Sequence, residues 1–152
     1  MPQLRCIDVR NVILPNPVDI QDSIVLENLD ELSFVYEFKC TKEVLERIPN
    51  LKILSLRYYN YAKDWSYYCL HNLVHLRKLE SLSLCAKKLL LETIVLPTSL
   101  KKLSLNFGGI PWEDMTLIGS LPNLEILNLW NNAFKGYEWS PVEGQFLIRY
   151  DG

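Results

Sequence analysis

The chain has 152 residues, 49% of them apolar, with 16 Lys and Arg against 18 Asp and Glu for a formal net charge of −2. This balance lacks the basic excess that is typical of proteins that bind nucleic acids. No apolar run approaches the roughly 20 residues that a membrane-spanning helix needs. The length fits a single domain.

The four cysteines, Cys6, Cys40, Cys69 and Cys85, are far apart and form no C-x-x-C pair. The start, residues 1–10, has no apolar core of a signal peptide. Both observations favour a reducing compartment. We therefore expect a cytoplasmic protein, with any attachment to a membrane supplied by other domains.

A nine-residue pattern occurs twice, as I-P-N-L-K-I-L-S-L at 48–56 and as L-P-N-L-E-I-L-N-L at 121–129. Its frame, L-x-x-L-x-x-L-x-L, recurs with drift along the whole chain. The first core position of the frame is filled in turn by Ile7, Leu32, Leu54, Leu82, Leu103, Leu127 and Ile148. These anchors are 21 to 28 residues apart, which is the period of leucine-rich repeats.

The repeats predict an α/β leucine-rich-repeat solenoid, in which residues 1–152 form a single array of about six to seven units. Each x-L-x-L segment is a strand, for example Leu32 to Phe34, and successive strands form a parallel sheet on the concave side. Residues 41–48 are expected to form a short helix capped by Thr41, and residues 64–79 and 112–121 to be helical too. The convex side is therefore irregular, and the array forms a segment of a horseshoe.

Equivalent positions of successive strands predict rows of side chains on the concave face. The row between the two core leucines is small and polar, which suits either tight packing on a curved face or a serine-lined ligand track. A second row alternates in sign, which favours a ladder of ion pairs that fixes the register. Its members are Arg5, Asp30, Lys52, Glu80, Lys101 and Glu125.

Aromatic and arginine side chains follow the second core leucine of several repeats. Such residues dominate binding hot spots, because they bury large areas with few rotatable bonds, although edge packing would also explain them. The loop at 58–68 adds six aromatic residues in eleven positions. We predict a protein-binding site on the concave face formed by Tyr36, Arg57, Tyr58, Phe107 and Trp130.

No catalytic, cofactor or metal site is predicted. His71 and His75 have the spacing of H-E-x-x-H, but Asn72 stands where that motif has its glutamate. Cys69 near His71 lacks a third, orienting residue. The glycines form no phosphate-binding loop. The chain is therefore expected not to be an enzyme.

Several phrases carry a resemblance to a known family: L-E-N-L at 26–29, L-K-K-L-S-L at 100–105, G-I-P-W-E-D-M at 109–115 and W-S-P-V-E-G-Q-F at 139–146. Together with the irregular repeats, they resemble plant coiled-coil nucleotide-binding leucine-rich-repeat immune receptors, in particular the late-blight-resistance class of the nightshade family. The resemblance spans essentially the whole chain.

The resemblance implies a recognition module that senses a pathogen effector or a guarded host protein. It also implies that this module holds a nucleotide-binding domain inactive in cis until hypersensitive cell death is triggered. ATP or ADP would bind to that domain, which this sequence does not include, so the chain is expected to be a fragment of a larger receptor. The alternative is the substrate-recruiting repeat domain of a ubiquitin-ligase adaptor.

Overall fold

A computed structural model describes residues 6–8, 25–59, 64–106, 109–130, 134–135 and 147–151. Seven parallel strands form one sheet, in which they are ordered as in the sequence. A separate parallel pair joins two short strands. The strands are β1 (Cys6–Asp8), β2 (Glu31–Tyr36), β3 (Ile53–Tyr58), β4 (Ser81–Ala86), β5 (Lys102–Asn106), β6 (Ile110–Pro111), β7 (Ile126–Trp130), β8 (Phe134–Lys135) and β9 (Leu147–Asp151), with β6 and β8 forming the pair.

The register of the large sheet confirms the predicted repeat anchors. Leu54 pairs with Leu32 on one side and with Leu82 on the other. The same row continues to both edge strands, so all seven anchors are consecutive partners: Ile7, Leu32, Leu54, Leu82, Leu103, Leu127 and Ile148. The α/β class and the parallel sheet are therefore as predicted, including the strand at the end of the chain.

The sheet buries one face and exposes the other, because side chains alternate along a strand. In β4, Leu82, Leu84 and Ala86 are buried, whereas the residues between them are partly exposed. The buried side packs against apolar residues from the connections to form one continuous core. We call the opposite side, which carries the residues between the core leucines, the open face.

The connections cover the core with short helices. Helix α1 (Lys42–Glu46) begins at Thr41, whose hydroxyl accepts a hydrogen bond from the Val44 amide at 3.4 Å, so the predicted cap is confirmed. Helix α2 (Met115–Gly119) follows a 3₁₀ turn at Trp112–Asp114. A further 3₁₀ turn spans Leu91–Thr93.

The helix predicted at 64–79 is wrong in type. Two 3₁₀ segments occupy this stretch, Trp65–Tyr68 and Leu70–His75. Cys69 between them has a left-handed backbone with φ of 54°, which interrupts the regular i→i−4 bonding of an α-helix. Short pieces of this kind are typical of 3₁₀ structure.

Backbone and side-chain hydrogen bonds join each repeat to the next at the start of the strands. The Lys52 carbonyl accepts from the amides of both Glu80 and Ser81, at 2.8 and 2.9 Å. The asparagines of the two nearly identical repeats also reach back by one unit: the side-chain amide of Asn50 donates to the Glu27 carbonyl at 2.7 Å, and that of Asn123 donates to the Thr98 carbonyl at 2.8 Å.

The charged row lies along this same edge. In it, Lys101 Nζ is 3.7 Å from Glu80 Oε1, and both side chains are about half exposed. An exposed pair of this kind contributes about 0–1 kcal/mol. The backbone hydrogen bonds of the charged row and the asparagine side-chain bonds therefore stabilise the register more than the ion pairs of that row do.

Strand β2 departs from the predicted frame. Phe34 was expected to be its second core residue, but the register shifts between Leu32 and Val35, and Val35 pairs with Leu56 instead. Phe34 itself has φ of 58° and is partly exposed, whereas Val35 is fully buried. This bulge turns the next residue, Tyr36, into the partner of Arg57.

Within the part of the chain that the structure describes, no helix has the length and apolar character of a membrane span.

The register predicts that Leu54→Ala lowers the free energy of unfolding by about 2–5 kcal/mol, because its side chain is fully buried with an anchor on each side. Leu90→Ala is the matched control, since Leu90 is 46% exposed; its cost should be below about 1 kcal/mol. Urea denaturation of both variants measures the difference. Equal midpoints would contradict the assigned core.

Candidate protein-recognition surface

The register arranges the open face into three rows that cross the strands. The first row begins each strand and contains Glu31, Ile53, Ser81, Lys102 and Ile126. The serine row lies two residues further along each strand and contains Ser55, Ser83, Ser104 and Asn128. The aromatic row, near the strand ends, contains Tyr36, Arg57, Cys85, Asn106 and Trp130.

A cluster of three rings and one guanidinium lies at the β2 end of the aromatic row. The Arg57 guanidinium carbon is 5.0 Å from the centre of the Phe34 ring and 6.0 Å from that of Tyr36. Tyr36 in turn stacks on Tyr59, with ring centres 5.3 Å apart and planes at 20°. These distances lie within the range of cation–π and stacking contacts. We call these four residues the arginine–tyrosine cluster.

The cluster presents a mixed aromatic and cationic surface. Tyr59 is 62% exposed, and Arg57 is partly exposed above the rings. Tyr36 is only 9% exposed, because it lies between them. A hydrogen bond with Tyr36 is the largest cause that raises the pKa of the Tyr59 hydroxyl above its ordinary value.

Glu37 fixes the backbone on which Tyr59 stands. Its Oε1 accepts a hydrogen bond from the Tyr59 amide at 2.7 Å, and its Oε2 accepts one from the Tyr68 hydroxyl. Glu37 has a left-handed backbone with φ of 51°, and its own amide donates to the Arg57 carbonyl at 2.9 Å. One carboxylate thus ties the ends of β2 and β3 to the 3₁₀ segment at Trp65–Tyr68.

Buried aromatic residues support this arrangement from the core side. Tyr58 lies 5.7 Å from Trp65, with ring planes at 86°, and 4.4 Å from Tyr68. The Tyr58 hydroxyl donates to the Phe38 carbonyl at 2.6 Å, and Trp65 Nε1 donates to the Lys88 carbonyl at 3.0 Å. Every ring of this group that carries a polar atom has therefore found a partner for it.

The prediction that Tyr58 belongs to the open face is wrong. Tyr58 is 2% exposed and lies on the side of Leu54 and Leu56, because consecutive residues of a strand point to opposite faces. Arg57 and Tyr58 could not both face a ligand. The aromatic loop is accordingly divided, with Tyr58 in the core and Tyr59 in solvent.

Three of the five predicted residues share one row. Tyr36, Arg57 and Trp130 all lie in the aromatic row, and Trp130 is 41% exposed. Three strand spacings separate Trp130 from Arg57, about 14 Å, so Trp130 is a second contact point on the same face rather than part of the cluster. Phe107 lies outside the described residues.

Sequence reasoning missed Phe34, and it included Tyr59 only as part of the aromatic loop at 58–68. Phe34 occupied a core position of the repeat frame, and nothing in the frame signalled the bulge that exposes it. Tyr59 follows the strand directly, and the alternation of β3 after Leu54 and Leu56 would have placed residue 59 on the open side.

The two histidines do not lie on one face of a helix, as H-E-x-x-H would require. His71 and His75 lie in a 3₁₀ segment, where a separation of four residues turns the second side chain about 120° away from the first. Among the described residues, no group of three or more His, Cys, Asp or Glu side chains could hold a metal ion.

A scan against models of protein families and a search of curated proteins found no match to this chain.

The buried thiol of Cys40 makes the support of the cluster sensitive to alkali. Burial raises the pKa of Cys40 from an ordinary 9.0 to about 12, and burial also raises the pKa of the Tyr58 hydroxyl well above its usual value. Between pH 9 and pH 12 the thiol ionises in the unfolded chain but stays protonated in the folded one. The folded state then binds more protons, so the free energy of unfolding falls as pH rises.

We expect Cys40 alone to lower the free energy of unfolding by about 1 kcal/mol between pH 9 and pH 10. Urea midpoints at pH 8, 9 and 10 measure this fall. In Cys40→Ala the slope with pH should be smaller, whatever the constant cost of the missing sulfur. Identical slopes in the two proteins would contradict the assignment.

Proposed function

We propose that this chain is a segment of a leucine-rich-repeat solenoid that recognises another protein through its open face, which is the concave side. The parallel sheet in sequence order and the seven anchors in one row support the solenoid. Repeats of this type bury a core against their neighbours and leave one extended surface for a partner.

The arginine–tyrosine cluster is the observation that carries the recognition role. Tyr59 leaves 62% of its surface in water although it stands on a backbone held by Glu37 and stacks on Tyr36. Rings held in one position lose little entropy when a partner covers them. Tyrosine, tryptophan and arginine are also the residues that most often carry interface energy.

The cellular role is inferred from the resemblance of the repeat phrases. We infer that the chain is the recognition part of a plant intracellular immune receptor in the cytoplasm. Its partners are a pathogen effector or a guarded host protein, together with a nucleotide-binding domain in cis that it holds inactive. The G-I-P-W-E-D-M phrase at 109–115 and the W-S-P-V-E-G-Q-F phrase at 139–146 are the more specific parts of that resemblance. The role requires no catalytic group in the chain.

Binding to a purified nucleotide-binding domain of the resembled receptor class tests the proposal. Trp130→Ala and Arg57→Ala should each weaken the complex by about 1–2 kcal/mol, or about five- to thirtyfold in Kd. Each substitution removes a large side chain from the open face without opening the core. Biolayer interferometry with the full chain immobilised gives the constants.

His75→Ala is the control for this titration, because His75 is exposed in a connection rather than on the sheet. Its Kd should equal that of the parent chain. Urea midpoints of all three variants exclude loss of folding as the cause. If His75→Ala weakens binding the most, the recognition surface is not the open face.

A further inference from the structure

The open face carries a polar strip between two rows of mostly larger side chains, and we call this strip the trough. The serine row forms the floor, and its four members span three strand spacings, about 14 Å from β3 to β7. Larger side chains flank it on β3, β5 and β7, among them Ile53, Lys102, Arg57 and Trp130, whereas Ser81 and Cys85 on β4 are small. The two flanking rows are four residues apart along each strand, or about 13 Å. These dimensions fit one extended segment of about four residues that runs across the strands.

One end of the floor holds a buried polar atom without a partner. Asn128 is 6% exposed, and its Nδ2 donates to Ser104 Oγ at 3.1 Å. Its Oδ1 is buried and has no hydrogen-bond partner. An unsatisfied buried polar group is unfavourable. Since Oδ1 has almost no accessible surface, a partner in the trough cannot reach it without a movement of Asn128.

The charges around the trough favour an acidic segment. On strands β3 to β7, which form the trough, Arg57 and Lys102 are the charged residues of the flanking rows. The acids of these rows lie on the outer strands: Glu31 on β2, whose carboxylate accepts a hydrogen bond from Ser33 Oγ at 2.8 Å, and Asp151, which pairs with Trp130. Of the described acidic side chains, none lies within 4.0 Å of the Arg57 guanidinium. The rings of Phe34 and Tyr36 support this guanidinium but bring no negative charge to it.

We propose that the trough binds an extended segment of a partner protein through an Asp or Glu side chain that pairs with Arg57. This inference rests on the proposed recognition function and specifies the chemistry of the partner. The planar guanidinium binds a carboxylate through two parallel hydrogen bonds. Phosphorylated side chains are recognised by clusters of arginines, whereas this cluster contains one.

Paired synthetic peptides test the proposal without a known partner. Arrayed nonapeptides of random flanking sequence carry Glu, Gln or phosphoserine at the centre, and each Glu peptide has a Gln twin. Kd values for the purified full chain are measured by fluorescence anisotropy. We expect the Gln twins of binding Glu peptides to bind about tenfold more weakly, since they lose a charge-assisted pair with the guanidinium.

Three variants assign the effect to Arg57. Arg57→Gln should abolish the difference between the twins, and Arg57→Lys should retain part of it, because lysine keeps the charge but loses the planar fork. Arg77→Gln removes an exposed arginine near the opposite ends of the strands, and this control should keep the full difference. Urea midpoints identify any variant that has lost its fold. If Arg57→Gln has lost it, the partial difference between the twins in Arg57→Lys decides whether Arg57 binds the carboxylate.

The outcomes separate this inference from the proposed function. If Tyr59→Ala and Trp130→Ala weaken peptide binding while the twins bind equally, the acidic partner is wrong and recognition by the open face stands. Preference for phosphoserine over Glu would likewise overturn the carboxylate assignment. If no peptide binds in a manner that depends on open-face residues, both the inference and the proposed function fail.

Discussion

The parallel register of the anchor residues is the constraint on which the rest of the structure depends. Among the described residues, each strand of this sheet pairs with the strand that precedes it and the strand that follows it in the sheet. The core leucines must therefore meet the leucines of the adjacent repeats, because a slip by one residue would move them all to the open face. The asparagine bonds from Asn50 and Asn123 hold the same alignment at the start of the strands. The same register aligns the side chains on both faces of the sheet. The packing of the core leucines therefore also determines which residues form the rows of the open face.

The repeat pattern predicts the core well because burial acts on every repeat in the same way. Leu54, Leu82 and Leu103 have equivalent surroundings, so their spacing alone places them in one row. Helix α1 was equally predictable, since its cap and its apolar face are local signals. The 3₁₀ segments were not, because the left-handed residue that separates them, Cys69, is neither glycine nor asparagine.

The candidate site was less predictable than the core, since it depends on where one strand breaks the repeat. Reading equivalent positions across repeats placed Tyr36 beside Tyr58, and thus two tyrosines in one row. The bulge at Phe34 shifts that alignment, so Tyr36 meets Arg57 while Tyr58 faces the core. A pattern of leucines cannot indicate an extra residue in the strand when, as here, Val35 is as apolar as the residue it replaces.

The strain in β2 is therefore informative about the open face. Phe34 and Glu37 both have positive φ, a conformation that is unfavourable for residues with a side chain and that persists only where the surroundings impose it. In an unbroken strand, Val35 would face solvent and Tyr36 would enter the core. The bulge exchanges them, and the left-handed turn at Glu37 directs its carboxylate to the Tyr59 amide and the Tyr68 hydroxyl. Both distortions thus shape the arginine–tyrosine cluster. The regular repeats build a uniform sheet. The irregular repeat, which contains β2, places Arg57 against aromatic rings at one defined point on that sheet.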